Sequence, residues 1–182
     1  MFREALKTAM RMIFSPQISW EYVSMRQDAN LYKGFLVPLW TIICLSAFAG
    51  GCFIAANSSL ELGFKNLIVE TIVLFIGFYI TSFLLNEYVA TLPGMTKKIK
   101  NARVFVAYSS SLLYLVGVIA SVLPDFFFLW LFAVYTAYII YVGAGIYYLI
   151  IPEKQVKFMT AATTLIIGVP LILRLFLSMM TS

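Results

Sequence analysis

Residues 165–180 read LIIGVPLILRLFLSMM, fifteen uncharged residues and one arginine, Arg174. A cation inside a run this apolar needs a partner, a route to water or a function, and the choice among them depends on what surrounds it. The surroundings are just as apolar. Of 182 residues, 62% are hydrophobic and 12% charged, mean hydropathy is +0.94, and a soluble domain carries about twice that share of charge. The chain therefore reads as an all-α, polytopic integral membrane protein. Its apolar residues fall into five runs, 34–56, 64–89, 104–123, 126–151 and 158–180. Each is long enough to cross the hydrocarbon core as a helix, at roughly 20 residues per span. The expectation is a five-helix transmembrane domain over residues 34–182, preceded by a cytoplasmic amphipathic N-terminal segment, residues 1–33.

Lys and Arg in the short connections set the orientation, because positive charge is held on the cytoplasmic side. Arg3, Lys7, Arg11, Arg26 and Lys33 precede the first span; Lys97, Lys98, Lys100 and Arg103 follow the second; Lys154 and Lys157 follow the fourth. The opposite connections hold Lys65 alone. Eleven cations against one put the N-terminus in the cytoplasm and, after five crossings, the C-terminus outside. The net charge of +5 is then a sorting signal and a grip on anionic headgroups. Basic residues scattered through membrane-flanking loops do not form a nucleic-acid surface.

The start MFREALKTAMRMIF carries three basic residues and a glutamate with no small-residue cleavage site after it, so no secretory signal is expected. Phe2, Leu6, Ala9, Met10, Ile13 and Phe14 recur at helical spacing, while Arg3, Lys7 and Arg11 repeat every four residues on another face. Such a helix suits the headgroup layer. Ser15-Pro16 resets the chain before a second short helix through QISWEYVSMR, which carries Trp20. Arg3, Lys7, Arg11, Trp20, Lys97, Lys98, Lys100 and Arg103 form the expected lipid or partner surface, and caps on the cytoplasmic face of the bundle are the competing reading. Between the third and fourth spans, Pro124 and Asp125 break the helix, and Phe126, Phe127, Phe128 and Trp130 fall where aromatic rings favour the membrane interface.

Catalytic chemistry is sparse. There is no histidine, which removes His-dependent bases, His metal ligands and Ser-His or Cys-His dyads. Glu70 and Glu87 lie seventeen residues apart on one span, roughly 25 Å at 1.5 Å per residue, too far to share a substrate. Ser109, Ser110 and Ser111 lack a nucleophile elbow and read as hydroxyls bonding to the helix or to a neighbour. Cys44 and Cys52 both lie in the first span and read as small packing residues. Neither a cofactor nor a metal is expected. Ser46 with Gly50, Ala47 with Gly51, and Thr160, Thr164 and Gly168 stand at four-residue spacing and mark helix contacts, within the bundle or between copies of the chain. Tyr135, Tyr138, Tyr141, Tyr147 and Tyr148 in the fourth run read as packing tyrosines, with a polar pathway as the alternative.

Glu70 and Arg174 stand out by depth. Counted from Lys65, Glu70 lies about 7 Å inside the outer boundary, and counted from Met180, Arg174 lies about 9 Å inside the same one. They are therefore expected to pair across the second and fifth spans, as a structural clamp or as the lining of a small cavity. An unpaired, snorkelling Arg174 is the alternative.

The series AYSSSLLYLVGVIASVLP, followed by an aromatic span ending YVGAGIYYLIIPEKQVKF, resembles the Yip family of Ypt/Rab-interacting membrane proteins. The family-like positions are Tyr108 and Ser109 at the start of the third span, Pro124 closing it, Gly143 late in the fourth, and Pro152 with Lys154 in the loop before the fifth. SPQISWEYV is similar to the opening of short bacterial members, and LYKGFLVPLW echoes the pre-span motif without its Asp and Gly-Pro. The resemblance implies five spans with the N-terminus inside, and for the short type a bacterial inner membrane. Eukaryotic relatives bind Rab GTPases and act in membrane traffic and shaping. The expected function is that of a non-enzymatic membrane organiser. It would hold lipid or a cytoplasmic protein partner through its N-terminal helices and associate with further copies through small-residue faces. A small-solute or ion transporter using Glu70 and Arg174 is the competing class.

Overall fold

The structure, a computed structural model, describes residues 1–26, 30–55, 57–123 and 129–181. Among them every regular element is a helix, the form that satisfies backbone hydrogen bonds within one segment in lipid. Helix α1, Phe2–Phe14, has Glu4 in its first turn and Arg11 in its last, the order that the helix dipole favours. Ser15 ends it, and Pro16 opens α2, Pro16–Arg26, at a position where a missing N–H costs nothing.

A continuous helical run then covers Leu31–Ile54. Its middle, α3 (Val37–Ala49), is α-helical, while Leu31–Leu36 and Gly50–Ile54 are wound in the wider π register. The first change of register falls where Pro38, without an N–H, cannot donate to the carbonyl of Gly34. Helix α4, Leu60–Ala90, is capped by Ser59, whose Oγ accepts the Leu62 N–H at 3.0 Å. The turn after it uses Gly94 at φ 79°, a conformation that glycine adopts without steric cost. Helices α5 (Ile99–Ser109) and α6 (Ser111–Val122) are one apolar stretch bent by 45° at Ser110. Helix α7 runs Leu129–Ile146, and α8 runs Pro152–Thr181 with Pro170 inside it.

Leu31–Ile54, Leu60–Ala90 and Pro152–Met180 are each long and apolar enough to cross a membrane, and the bent pair α5–α6 adds a fourth if it counts as one crossing. The apolar part of α7 among the described residues, Val134–Ile146, is shorter. Of the expected turn and fourth span, Pro124, Asp125, Phe126, Phe127 and Phe128 lie outside the described residues, as does the side chain of Trp130.

The long helices pack in a closed ring: α3 on α4, α4 on α8, α8 on α7, α7 on α6, and α6 back on α3. Before the bend, α5 packs against α4 and α7. One end of the ring, where α4 stops and α5 and α8 start, carries exposed Lys97, Lys98, Lys100, Lys154 and Lys157. This basic end also holds an aromatic part of the core. Trp20 stacks on Phe105 at 5.0 Å between ring centroids and leans on Tyr147 at 5.6 Å, while Phe105 meets Phe158 at 5.6 Å and Phe35 meets Tyr108 at 4.5 Å. The N-terminal helices are built into this core. Ala5, Ala9 and Met12 form the buried face of α1, which packs on the Leu31–Leu36 segment and on α6, and α2 lies along α7. The Tyr135 hydroxyl donates to the Ile13 carbonyl at 3.1 Å, tying the end of α1 to α7.

Candidate functional site

Glu70 on α4 and Arg174 on α8 meet, with Arg174 Nη2 donating to Glu70 Oε2. The antiparallel register of the two helices makes this contact. Gly77, two turns along α4, faces Pro170, and a Cβ on it would lie 3.8 Å from Pro170 Cα. Further on, Thr81 Oγ1 donates to the Leu165 carbonyl at 3.5 Å. Eleven residues up α4 therefore correspond to nine down α8, so residues at matching depth stay opposed. The pair is asymmetric: the Glu70 side chain is 10% exposed and that of Arg174 47%.

Two cavities adjoin the pair. The smaller, about 140 Å³, lies among α3, α4, α8 and the α5–α6 bend. Its walls are mostly aliphatic, with the hydroxyls of Thr81, Ser110 and Tyr114 among them. The larger, about 470 Å³, lies toward the end where α4 starts and α8 stops, and is lined by Lys65, Asn66, Ser121 and Ser178. Glu70, Gly117, Ala120 and Arg174 line both. The space follows from the bend: α5 packs along α4, and α6, turned by 45°, packs on α3 and α7 instead.

The expected lipid or partner surface divides. Arg3, Lys7 and Arg11 are exposed on α1, and Lys98 and Lys100 are exposed before and in α5. Lys97 donates to Glu87 at 2.6 Å, and the Arg103 guanidinium lies 5.1 Å from the centroid of the Tyr79 ring, a cation–π contact. Trp20 does not belong to that surface. It is 0% exposed, and its Nε1 donates to the Ile139 carbonyl at 3.0 Å. An indole buries more apolar area than most side chains and needs one acceptor, and the core of α5 and α7 supplies both.

Gly143 accounts for that fit. A Cβ there would lie 2.5 Å from Trp20 Cε2, so the ring rests directly on the α7 backbone. Gly145 does the same for Gln155, whose Nε2 donates to the Tyr141 carbonyl at 2.7 Å. Pro152 opens α8, and Lys154 is exposed beside it. Tyr108 and Ser109 are buried at the bend, and Ser111 Oγ donates to the Tyr108 carbonyl at 2.6 Å. Gly51 packs so closely on Gly63 of α4 that a Cβ would come 2.8 Å from its Cα, whereas Gly168 faces open space with Thr160 and Thr164 exposed beside it. Cys44 Sγ lies 3.4 Å from Thr71 Oγ1. Among the described residues, no three His, Cys, Asp or Glu side chains gather as a metal site would require.

Sequence reasoning offered a small cavity at the pair as one alternative, but missed the second cavity, the bend, and the roles of Gly117, Thr81 and Gln155. The adjacent serines 109–111 were the available signal for the bend, because short hydroxyl side chains compete for helical carbonyls.

No curated protein and no solved structure was found to match the chain. A comparison with protein-family models matches the Yip1 domain over residues 10–175, a stretch that includes Trp20, Tyr108, Gly143, Glu70 and Arg174. The chain belongs to the Yip1-domain family of membrane proteins.

Proposed function

We propose that this Yip-type protein is a non-enzymatic membrane organiser, and that it crosses the cytoplasmic membrane of a bacterium five times with its N-terminus inside. The family is not a known enzyme family. The observation that carries the reading is the make-up of the N-terminal helices. Their inner face is anchored through Trp20, while Phe14, Ile18 and Met25 are 80%, 70% and 82% exposed and Arg3, Lys7 and Arg11 stand exposed on α1. Exposed apolar side chains beside cations suit the headgroup boundary of an anionic leaflet. Because the helices are fixed to the bundle, they occupy area in one leaflet as a rigid wedge. Cations at the basic end of the ring and Lys65 toward the other support the orientation.

The test is reconstitution of the full chain into anionic vesicles, with vesicle radius measured at rising protein density. Wild-type protein should shift the population to smaller radii, and the triple variant Phe14→Ser, Ile18→Ser, Met25→Ser should not. Equal radii for the two would sink the organiser reading. The cavities beside Glu70 and Arg174 favour solute transport as the second reading, and a solute flux in liposomes that depends on Arg174 would replace the first with it.

A further inference from the structure

We infer that the two cavities joined at Glu70 and Arg174 form one binding site for a monoanionic amphiphile, with its anionic head on Arg174 in the larger space and a short apolar tail in the smaller. The cavities share the ion pair and the small residues Gly117 and Ala120, so a ligand lying across that junction touches both. The chemistry on the two sides differs. Toward the outer end are the amide of Asn66, the hydroxyl of Ser121 and the guanidinium, while the inner space is walled by residues such as Ile43, Val73, Leu74, Phe78 and Ile166.

The head is an anion because of the pair's asymmetry. Glu70 is nearly covered, whereas almost half of the Arg174 side chain is open. A guanidinium carries five N–H donors in a planar fork, and the bond to Glu70 uses one of its nitrogens, so donors remain for a carboxylate or a phosphate. The tail is short because the inner space is about 140 Å³. An apolar cavity of about 150 Å³ admits a molecule of benzene's size, which corresponds to roughly six carbons. A clamp alone needs no such room, because closely packed interiors hold few voids larger than a water molecule.

Calorimetric titration of heptanoate into phosphatidylcholine nanodiscs holding the full chain, with empty nanodiscs subtracted, tests the site. Saturable binding is expected, with acetate and 1-heptanol each at least about tenfold weaker, since each lacks half of the ligand. Gly117→Leu is the informative variant. A Cβ at Gly117 meets Ile43 Cγ2 at 3.8 Å, an ordinary contact, and Gly117 lines both cavities, so the side chain of a leucine there has the junction to extend into and alters no charge. It should weaken heptanoate at least about tenfold, and Ala120→Leu, on the same junction, should do likewise should Gly117→Leu fold poorly. Arg174→Lys, which retains a cation, should keep most of the affinity. Adding phosphatidylglycerol distinguishes the source of the anion: displacement of heptanoate assigns the site to a lipid headgroup, and no displacement to a free acid. Heptanoate heats equal to those of empty nanodiscs, equal binding of heptanoate and 1-heptanol, or affinity untouched by both filling variants would overturn the proposal. The vesicle-radius assay uses none of these residues, so the two proposals fail separately.

Discussion

Removing one member of the Glu70–Arg174 pair should destabilise the protein more than removing both. Two unit charges about 4 Å apart attract by about 4 kcal/mol at an effective dielectric of 20. The Arg174 side chain is 47% exposed, so screening brings the useful part to about 2 kcal/mol. Arg174→Leu leaves the carboxylate of Glu70, 10% exposed, with no cation, and should cost about that much. Glu70→Leu leaves a long, half-exposed arginine that reaches water by itself, and should cost about 1 kcal/mol. The double change to leucine removes both charges from an apolar wall and should return to within about 1 kcal/mol of wild type, as replaced buried pairs often do. The free thiols of Cys44 and Cys52, both part-buried, permit thermal unfolding in detergent to be followed with a thiol-reactive dye. At about 2–4 °C per kcal/mol for a chain of this size, Arg174→Leu should lower Tm by about 4–8 °C. A double variant as unstable as the sum of the two single ones would refute the reasoning, because it would mean that the charges do not interact.

The same assay checks four further expectations. Trp20→Ala empties a wholly buried site and should cost about 3–5 kcal/mol. Gly143→Ala, which drives a methyl into the indole, should cost about 1–3 kcal/mol, and combining it with Trp20→Phe should cost less than the sum of the two. Lys97→Ala should move Tm by no more than the equivalent of about 0.5 kcal/mol, because both partners of the Lys97–Glu87 bridge are substantially exposed. Ser59→Ala should cost about 1 kcal/mol and raise amide exchange in the first turn of α4, since it removes the acceptor of the Leu62 N–H.

What could be read from the sequence was one-dimensional. Apolar runs mark where a chain can cross, and depth along a helix accumulates at 1.5 Å per residue, so two charges at equal depth on different spans can be matched by counting alone. The approach of Glu70 to Arg174 was within reach for that reason, and so were the C-terminal ends of α4 and α8 to within one residue, although α8 starts six residues before the fifth apolar run. Rotation about the helix axis and bends within a span are not counted this way. Ser110 turns the third stretch by 45° although the stretch as a whole is apolar enough to read as one span, and the cavity beside the pair exists because of that turn. Nothing in a hydropathy profile distinguishes a straight span from a bent one.

Trp20 shows the same limit in a short amphipathic helix. Periodicity reports that a face is apolar, but lipid and the flank of a helix bundle are equally apolar partners, so it cannot choose between them. The information that chooses sits more than a hundred residues away, in a glycine at 143 that leaves the α7 backbone bare and a carbonyl at 139 that needs no movement to accept the indole N–H. Gly143 read by itself was a small residue late in a span. Read with Trp20, it is the other half of one contact. That contact turns the N-terminal helices from a free surface into part of the core, and leaves Phe2, Met10, Phe14, Ile18, Tyr22, Met25 and the cations of α1 among the residues facing outward.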